Sequence, residues 1–408
     1  MNCRHCNEVL TRTFLDLGFS PPSNNYLTHE QLSQPETQFP LRLFVCNKCW
    51  LVQTEDYSRA NELFREDYAY FSSISRTWLR HAEEYSLEIR ERLRLGAESF
   101  VIEIASNDGY LLRNFVAAKI PCLGIEPTES TAVVAEAQGI PVLREFFGKK
   151  LALHLAQTGR KADLIVGNNV YAHVPDINDF TAGMQTALKP DGTITLEFPH
   201  LKNLLERVQF DTVYHEHFSY LSLQTTSAIF ESAGLRIFDV RELSTHGGSL
   251  RIFGCHVNDR RETTSAVAQV LEAERRAGLS SLETYMNFQR KADSTKNALL
   301  GFLIEQAQAG KKVAAYGAAA KGNTFLNYAG IKSDLIRYVC DAAPSKHGKF
   351  MPGSHIPILD PVFLHDDKPD YVVILPWNIA NEVTQQLAAI RSWHGKFVVA
   401  VPSMSIIE

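Results

Sequence analysis

Residues 211–220 read DTVYHEHFSY and gather His215, His217, Glu216, Tyr214 and Tyr220 into ten positions. Side chains of these types handle protons, histidine most readily, because its free pKa of about 6.5 lies close to neutral pH. Three chemistries compete for such a cluster: metal ligation, general acid–base catalysis, and a polar turn rich in rings. In a regular strand His215 and His217 would share one face, with Tyr214, Glu216 and Phe218 on the other. An irregular loop lifts that restriction. Catalytic zinc needs a third protein ligand and an open position, and no H-E-x-x-H accompanies the pair, which makes acid–base work the stronger reading. His215 is expected to be structural.

The metal-type signal lies elsewhere. Cys3 and Cys6 form CRHC and Cys46 and Cys49 form CNKC, two C-x2-C knuckles 39 residues apart. Four thiolates offered as two tight pairs match the closed tetrahedral ligand set of a structural zinc ion. The alternating stretch FPLRLFV before the second knuckle predicts a strand with Phe39, Leu41, Leu43 and Val45 on one face.

A chain of 408 residues is too long for one ordinary core and predicts two or three domains. With 45% hydrophobic and 21% charged residues it reads as a soluble globular protein rather than a disordered one. A net charge of -5 gives no global attraction for nucleic acid. No apolar run approaches the roughly 20 residues that span a bilayer, and the N-terminal stretch does not resemble a signal peptide. The expectation is a cytoplasmic protein that binds neither nucleic acid nor membrane, as a monomer.

The elements that would position chemistry recur as strand, small-residue loop and helix. In VIEIASNDGYLL a strand runs into a loop that can bring backbone close to a ligand. Only Gly109 matches a glycine of the dinucleotide fingerprint G-x-G-x-x-G, so that reading fails. Glu103, Ala105, Asn107 and Gly109 instead resemble motif I of class I S-adenosylmethionine (SAM) methyltransferases, with departures at two glycine positions. The next strand ends in Glu126 and Pro127, 23 residues after Glu103, where a carboxylate can accept both ribose hydroxyls. Glu145 and Phe146 follow where they could border an adenine, and Asn168 and Asn169 end a further strand ahead of His173. The predicted fold is α/β, a doubly wound parallel sheet.

Farther on, TTSAVAQVLEAERRAGL predicts a helix with Val267, Val270, Leu271 and Ala277 on its stripe and Glu274 interrupting it. The stretch KKVAAYGAAAKGNT is again strand, loop and helix, whose N-terminus suits an anion such as a diphosphate. Gly317, Lys321, Gly322, Asn323 and Thr324 are candidates there, with Asp341, Lys346, His347 and Lys349 after the next strand. No Walker A ending is present, which argues against nucleotide hydrolysis. THGGSLR adds His246, Gly247, Gly248 and Arg251, the last a diphosphate partner if buried and a surface ion pair if not.

Taken together, the cysteine knuckles, PPSN, DYAYFSS, EIASNDGYLL, NNVYAHVPD, YHEHFSY, THGGSLR and AYGAAAKGNT resemble the sugar C-methyltransferases of branched deoxysugar biosynthesis. The resemblance implies a zinc-binding domain (1–66), a class I SAM-methyltransferase domain (67–260) and a C-terminal Rossmann-like domain (261–408) that helps hold a nucleotide sugar. It implies methyl transfer from SAM to C3 of a dTDP-linked 4-keto-6-deoxysugar, with a structural zinc ion. Functional roles map onto Tyr214, Glu216 and His217, with His217 the expected C3 base, His173 the second choice for base or oxyanion donor, and Tyr68 beside them. Tyr70 and Ser72 join the glycine-rich and lysine candidates above as substrate contacts. O- or N-methylation of another metabolite, and a catalytically silent SAM- and sugar-binding protein, are the competing readings.

Overall fold

The computed structural model describes residues 1–57 and 71–408, so the expectations for Tyr68 and Tyr70 lie outside the described residues. Two compact units emerge, each assembled from three separated stretches of chain. The first contains 1–10, 46–200 and 218–280; the second contains 11–45, 201–217 and 281–408.

In chain order, β1 (Thr13–Ser20) and β2 (Phe39–Val45) form an antiparallel pair within the second unit. Leu41, Leu43 and Val45 are buried and Phe39 is half-buried, as the alternation predicted. In the first unit, β3 (Val52–Thr54) precedes a parallel series: β4 (Val101–Ile104), β5 (Cys122–Ile125), β6 (Val142–Leu143), β7 (Ala162–Asn168) and β8 (Leu188–Pro199). A short β9 (Ser219–Tyr220) pairs with β3, and β10 (Leu235–Leu243) and β11 (Ser249–His256) complete the sheet.

The seven strands lie in the order β10-β11-β8-β7-β4-β5-β6. All four residues of β4 and β5 are buried. Near-continuous apolar runs are what strands covered on both faces require. One feature departs from the expected all-parallel sheet: β11 runs antiparallel to both β8 and β10. The connection from β10 explains it, because the five residues 244–248 form a tight reversal, with Gly247 and Gly248 at φ +87° and +117°. Such a turn has no room for the crossover helix that a parallel return demands.

The second unit is built on a six-stranded sheet of β12 (Val313–Tyr316), β13 (Val339–Cys340), β14 (Ile358–Leu359), β15 (Tyr371–Ile374), β16 (Lys396–Val399) and β17 (Ser405–Ile407). Its order is β14-β13-β12-β15-β16-β17, parallel except for β17, so the strand order reverses at β12 and β15. In each unit the crevice at this reversal, beyond the strands' carboxyl ends, is where an open α/β sheet offers a ligand site.

The helix Ser265–Arg276 confirms the predicted stripe in Val267 and Val270 and explains the residue that broke it. Glu274 is fully buried because its carboxylate accepts from His200 Nε2 at 2.7 Å and from the backbone amides of Leu223 and Gln224 at 2.6 and 2.9 Å. It thereby caps the helix Leu223–Ser232, whose first amides have no intrahelical partner.

Candidate active site

The four cysteine Sγ atoms all lie within 4.8 Å of one another. Cys3 faces Cys49 and Cys6 faces Cys46, both at 3.5 Å. That approaches the roughly 3.8 Å edge of a tetrahedron with 2.3 Å zinc–sulfur bonds. These four residues would hold the zinc, leaving no open position. The knuckle also grips the loop after β7. Arg4 donates to the Pro175 carbonyl at 2.7 Å, and the Asn178 amide donates to the His5 carbonyl at 2.9 Å.

Around the β4 crevice the backbone does what the missing glycines would have done. Ala105 and Asn107 adopt φ +56° and +49°, and Gly109 +79°. Left-handed backbone at a non-glycine residue costs about 1 kcal/mol or more, and hydrogen bonds hold it here. The Asn107 amide nitrogen donates to Glu126 at 2.9 Å, the Asn107 side chain accepts from the Ser72 amide at 2.9 Å, and Asp108 accepts from the Ser73 amide at 3.0 Å. A Cβ at Gly109 would run into Ile140. Glu103 is buried at the end of β4 with neither carboxylate oxygen hydrogen-bonded, and burial pushes its carboxyl well above the usual range.

Glu126 ends β5, 4% exposed, and also accepts from the Thr128 amide at 3.0 Å. Pro127 follows it, half-buried, while Glu145 and Phe146 lie exposed after β6. The decisive group is Asn168 at the end of β7: both atoms of its amide are buried with no hydrogen-bond partner. An unpaired buried amide costs about 1–3 kcal/mol, and a polar ligand in the crevice removes that penalty. The residues fit a nucleoside cofactor such as SAM.

The wall of this crevice joins two expected residues, Asn169 and His246, to Trp78 and His81, which the sequence reading missed. Asn169, at φ +54°, points its side-chain nitrogen at His246 Nε2, 3.2 Å away, and His246 stands at φ +52°. Trp78 packs edge-on to His246 at 5.3 Å and stacks on His81 at 4.8 Å. Beneath them Glu197 accepts from Arg251 at 2.8 Å, Thr245 at 2.8 Å and His81 at 2.9 Å. Arg251 is thus buried, paired with Glu197, and its guanidinium lies 4.4 Å from the Tyr85 ring centroid.

Burial alone would raise the Glu197 carboxyl, but His81 and Arg251 overcome it and hold it down at about 2. A depressed carboxylate contributes stability above its usual 4.5 and loses it as pH falls towards 2. Glu197→Gln will lower unfolding free energy by about 3–5 kcal/mol, because a buried guanidinium loses its counter-charge. It will also flatten the acid limb of stability between pH 5 and pH 2, read as urea midpoints across pH; an unshifted midpoint at pH 7 contradicts this.

In the second unit, YHEH is a turn and not a strand, and among the described residues it belongs to no group of three or more His, Cys, Asp or Glu side chains placed to share a metal. Residues 214–217 make a turn closed by the His217 amide donating to the Tyr214 carbonyl at 2.9 Å. The Tyr214 and His217 rings lie 4.0 Å apart, and His217 Nδ1 sits 3.0 Å from the Thr212 carbonyl. A carbonyl only accepts, so Nδ1 carries the proton and Nε2 is left as the basic nitrogen. His215 Nε2 meets the Pro40 carbonyl at 3.2 Å, and burial pushes its pKa down. His173 lies in the first unit, in the short turn Tyr171–His173.

The loop after β12 corrects part of the diphosphate assignment. Asn323 and Thr324 are buried, and both are taken up by backbone carbonyls: Asn323 Nδ2 donates to Ser23 at 2.5 Å and Thr324 Oγ1 to Val213 at 2.7 Å. Each bond fastens a loop to the start of the helix that follows β12. Lys321 donates to Asn378 at 3.0 Å over the Trp377 ring, while the Trp377 indole donates to Asp211 at 2.6 Å. Enclosure pushes Lys321 down and pushes Asp211 up to about 6. Lys346 donates to the Ala318 carbonyl at 2.7 Å and pairs with Asp341 at 3.4 Å; Lys349 is half-buried.

Three family models match in succession: a zinc binding domain over residues 3–64, a methyltransferase domain over 78–240 and a C-methyltransferase C-terminal domain over 244–402. The chain is 33% identical over 406 residues to the C-methyltransferase NovU of Streptomyces niveus, covering 100% of this chain and 96% of that one. The chain belongs to the C-methyltransferase family. Among solved structures, this C-methyltransferase is similar to an S-adenosylmethionine-dependent methyltransferase from Clostridium acetobutylicum. The identity is 13%, covering 48% of this chain and 95% of that one, with a TM-score of 0.35. Similarity also extends to the magnesium protoporphyrin IX methyltransferase ChlM from Synechocystis, at 15% identity over 44% and 83% of the two chains with a TM-score of 0.35. This C-methyltransferase is a SAM-dependent enzyme with a class I methyltransferase fold and a four-cysteine zinc site. No helix among the described residues is long and apolar enough to cross a membrane.

Proposed function

We propose that this C-methyltransferase methylates C3 of a dTDP-linked 4-keto-6-deoxysugar, with His217 as the base that removes the C3 proton. The observation that supports the reading is the 214–217 turn, in which the Thr212 carbonyl engages Nδ1 of His217 and Glu216 is buried on the same turn. An unactivated sugar C–H is too weak an acid for histidine. Beside a ketone, the electron pair left on C3 delocalises onto the C4 oxygen as an enolate, and the proton moves to Nε2. SAM, when bound, supplies an electrophilic methyl group.

In the first unit, Glu103, Glu126, Asn168 and the 105–109 loop would hold the cofactor. Tyr214 and Glu216 orient the sugar, and His173 is the second candidate for base or oxyanion donor. Lys321, Lys346 and Lys349 are the cations proposed to meet the diphosphate; Ser72, His246, Gly247 and Gly248 are proposed sugar contacts.

Incubation with SAM and a panel of dTDP-4-keto-6-deoxysugars tests the assignment. Expected are S-adenosylhomocysteine, a product heavier by one methyl group, and solvent exchange of the C3 hydrogen. Turnover without that exchange would point to O- or N-methylation, and no turnover across the panel by zinc-loaded protein would overturn the substrate class.

A further inference from the structure

Asn24 lies in the segment that links β1 to β2, and that segment is fastened on both sides of it. The Asn25 amide donates to the Pro22 carbonyl at 3.1 Å, closing a turn around Ser23 and Asn24. The Ser23 carbonyl accepts from Asn323 at 2.5 Å, the Tyr26 hydroxyl donates to the Ala318 carbonyl at 2.7 Å, and the Leu27 amide donates to the Phe350 carbonyl at 3.0 Å. Lys346 reaches that same Ala318 carbonyl at 2.7 Å and lies 5.3 Å from the Tyr26 ring centroid.

On this fixed segment Asn24 Nδ2 donates to Glu216 Oε1 at 2.7 Å. Glu216 is 4% exposed, so water competes little for that bond. A carboxamide is suited to the task. It gives a carboxylate a directed donor without the charge of a lysine, so the acid is oriented yet not neutralised. All of these residues belong to the second unit.

We propose that Asn24 is a positioning residue for methyl transfer, acting through Glu216 by fixing the orientation of its carboxylate. The proposal rests on the reading of Glu216 as a sugar-orienting group. Charged and titratable groups face Glu216 from several elements. Tyr26 approaches from the β1–β2 segment, with Asp341 and Lys346 behind it from the loop after β13. Tyr214, His215 and His217 lie on its own turn, and Asp211 is held by Trp377 near Lys321 at the start of that stretch.

The test uses the full zinc-loaded chain with SAM and a dTDP-4-keto-6-deoxyhexose. Asn24→Asp is nearly isosteric and replaces the donor by a second carboxylate. Two carboxylates at that separation cannot both ionise, so the acidic limb of kcat/KM will move up by about one pH unit or more. Asn24→Ala will lower kcat about ten-fold in the wild-type background and less than about two-fold in Glu216→Gln, because groups acting as one unit are not additive. SAM affinity stays unchanged in both. An active wild type whose acidic limb is the same in Asn24→Asp, or equal losses from Asn24→Ala in the two backgrounds, overturns the proposal alone. A wild type inactive on such sugars overturns the reading beneath it, and the proposal falls with that reading.

Discussion

Replacing His217 by alanine will lower the rate of methyl transfer by about 10²–10⁴-fold, the usual contribution of a positioned general base, and leave SAM affinity unchanged. The turn explains why the loss should be so large. Nδ1 is occupied by the Thr212 carbonyl, so the ring cannot flip to offer the other nitrogen without giving up that bond. The Tyr214 ring, 4.0 Å away, covers one face and narrows its rotation further. The direction of Nε2 is therefore set by the backbone around the histidine. His217→Gln will be as inactive as alanine, since an amide cannot take the proton. His215→Ala, which loses a bond to the Pro40 carbonyl and the ring contact with Phe39, will retain turnover and lose stability instead. Rates should be followed as S-adenosylhomocysteine formed, with C3 hydrogen exchange in deuterated solvent as a second readout. Activity near wild type in His217→Ala would pass the role of base to His173.

The largest effect on the folded state is expected from the zinc knuckle. Cys46→Ser or Cys3→Ser will abolish stoichiometric zinc binding, with one metal per chain in the wild type and none in either variant by elemental analysis. Structural zinc in small domains is bound with about 10–16 kcal/mol at neutral pH, and that binding energy is folding energy. The consequence should not stay local. Arg4 and His5 grip the stretch from Pro175 to Asn178, which follows directly on the turn carrying His173. Metal loss should therefore raise protease sensitivity around residues 170–180 as well as at the knuckle. A zinc-free variant with the wild-type urea midpoint and cleavage pattern would show that the thiols only pack.

What could be read from the chain depended on whether a group's partner was nearby in sequence. The knuckles were legible because ligand spacing is itself the signal, and β2 because its burial alternates residue by residue. Glu126 was legible from its distance to Glu103. The left-handed backbone at Ala105 and Asn107 was not, since alanine and asparagine do not advertise positive φ; bonds to Glu126 and Ser72 hold it. Thr324 and Asn323 looked like anion contacts because they begin a helix after a small-residue loop. Their partners, the carbonyls of Val213 and Ser23, lie 111 and 300 residues away. Glu197 and Arg251 were hidden likewise, being 54 residues apart on paired strands. Asn24 had a signal in PPSN, but its partner is 192 residues distant.

The interleaving of the two units has a consequence for how the molecule is made. The first segment of the second unit, Thr11–Val45, leaves the ribosome long before the sheet of that unit exists. At bacterial or eukaryotic elongation rates of about 5–20 residues per second, translation from Cys46 to Ser280 takes roughly 10–50 s. During that interval the six-stranded sheet of the second unit is absent, and the His217 turn, once translated, still lacks Thr324 and Trp377 to fasten it. The first unit is complete in sequence at Ser280, whereas the second cannot form until the C-terminal stretch has followed. Truncation at any single site leaves one unit with an orphaned hairpin or turn. A chimera that aims to exchange sugar recognition between relatives must move 11–45 and 201–217 along with the C-terminal stretch.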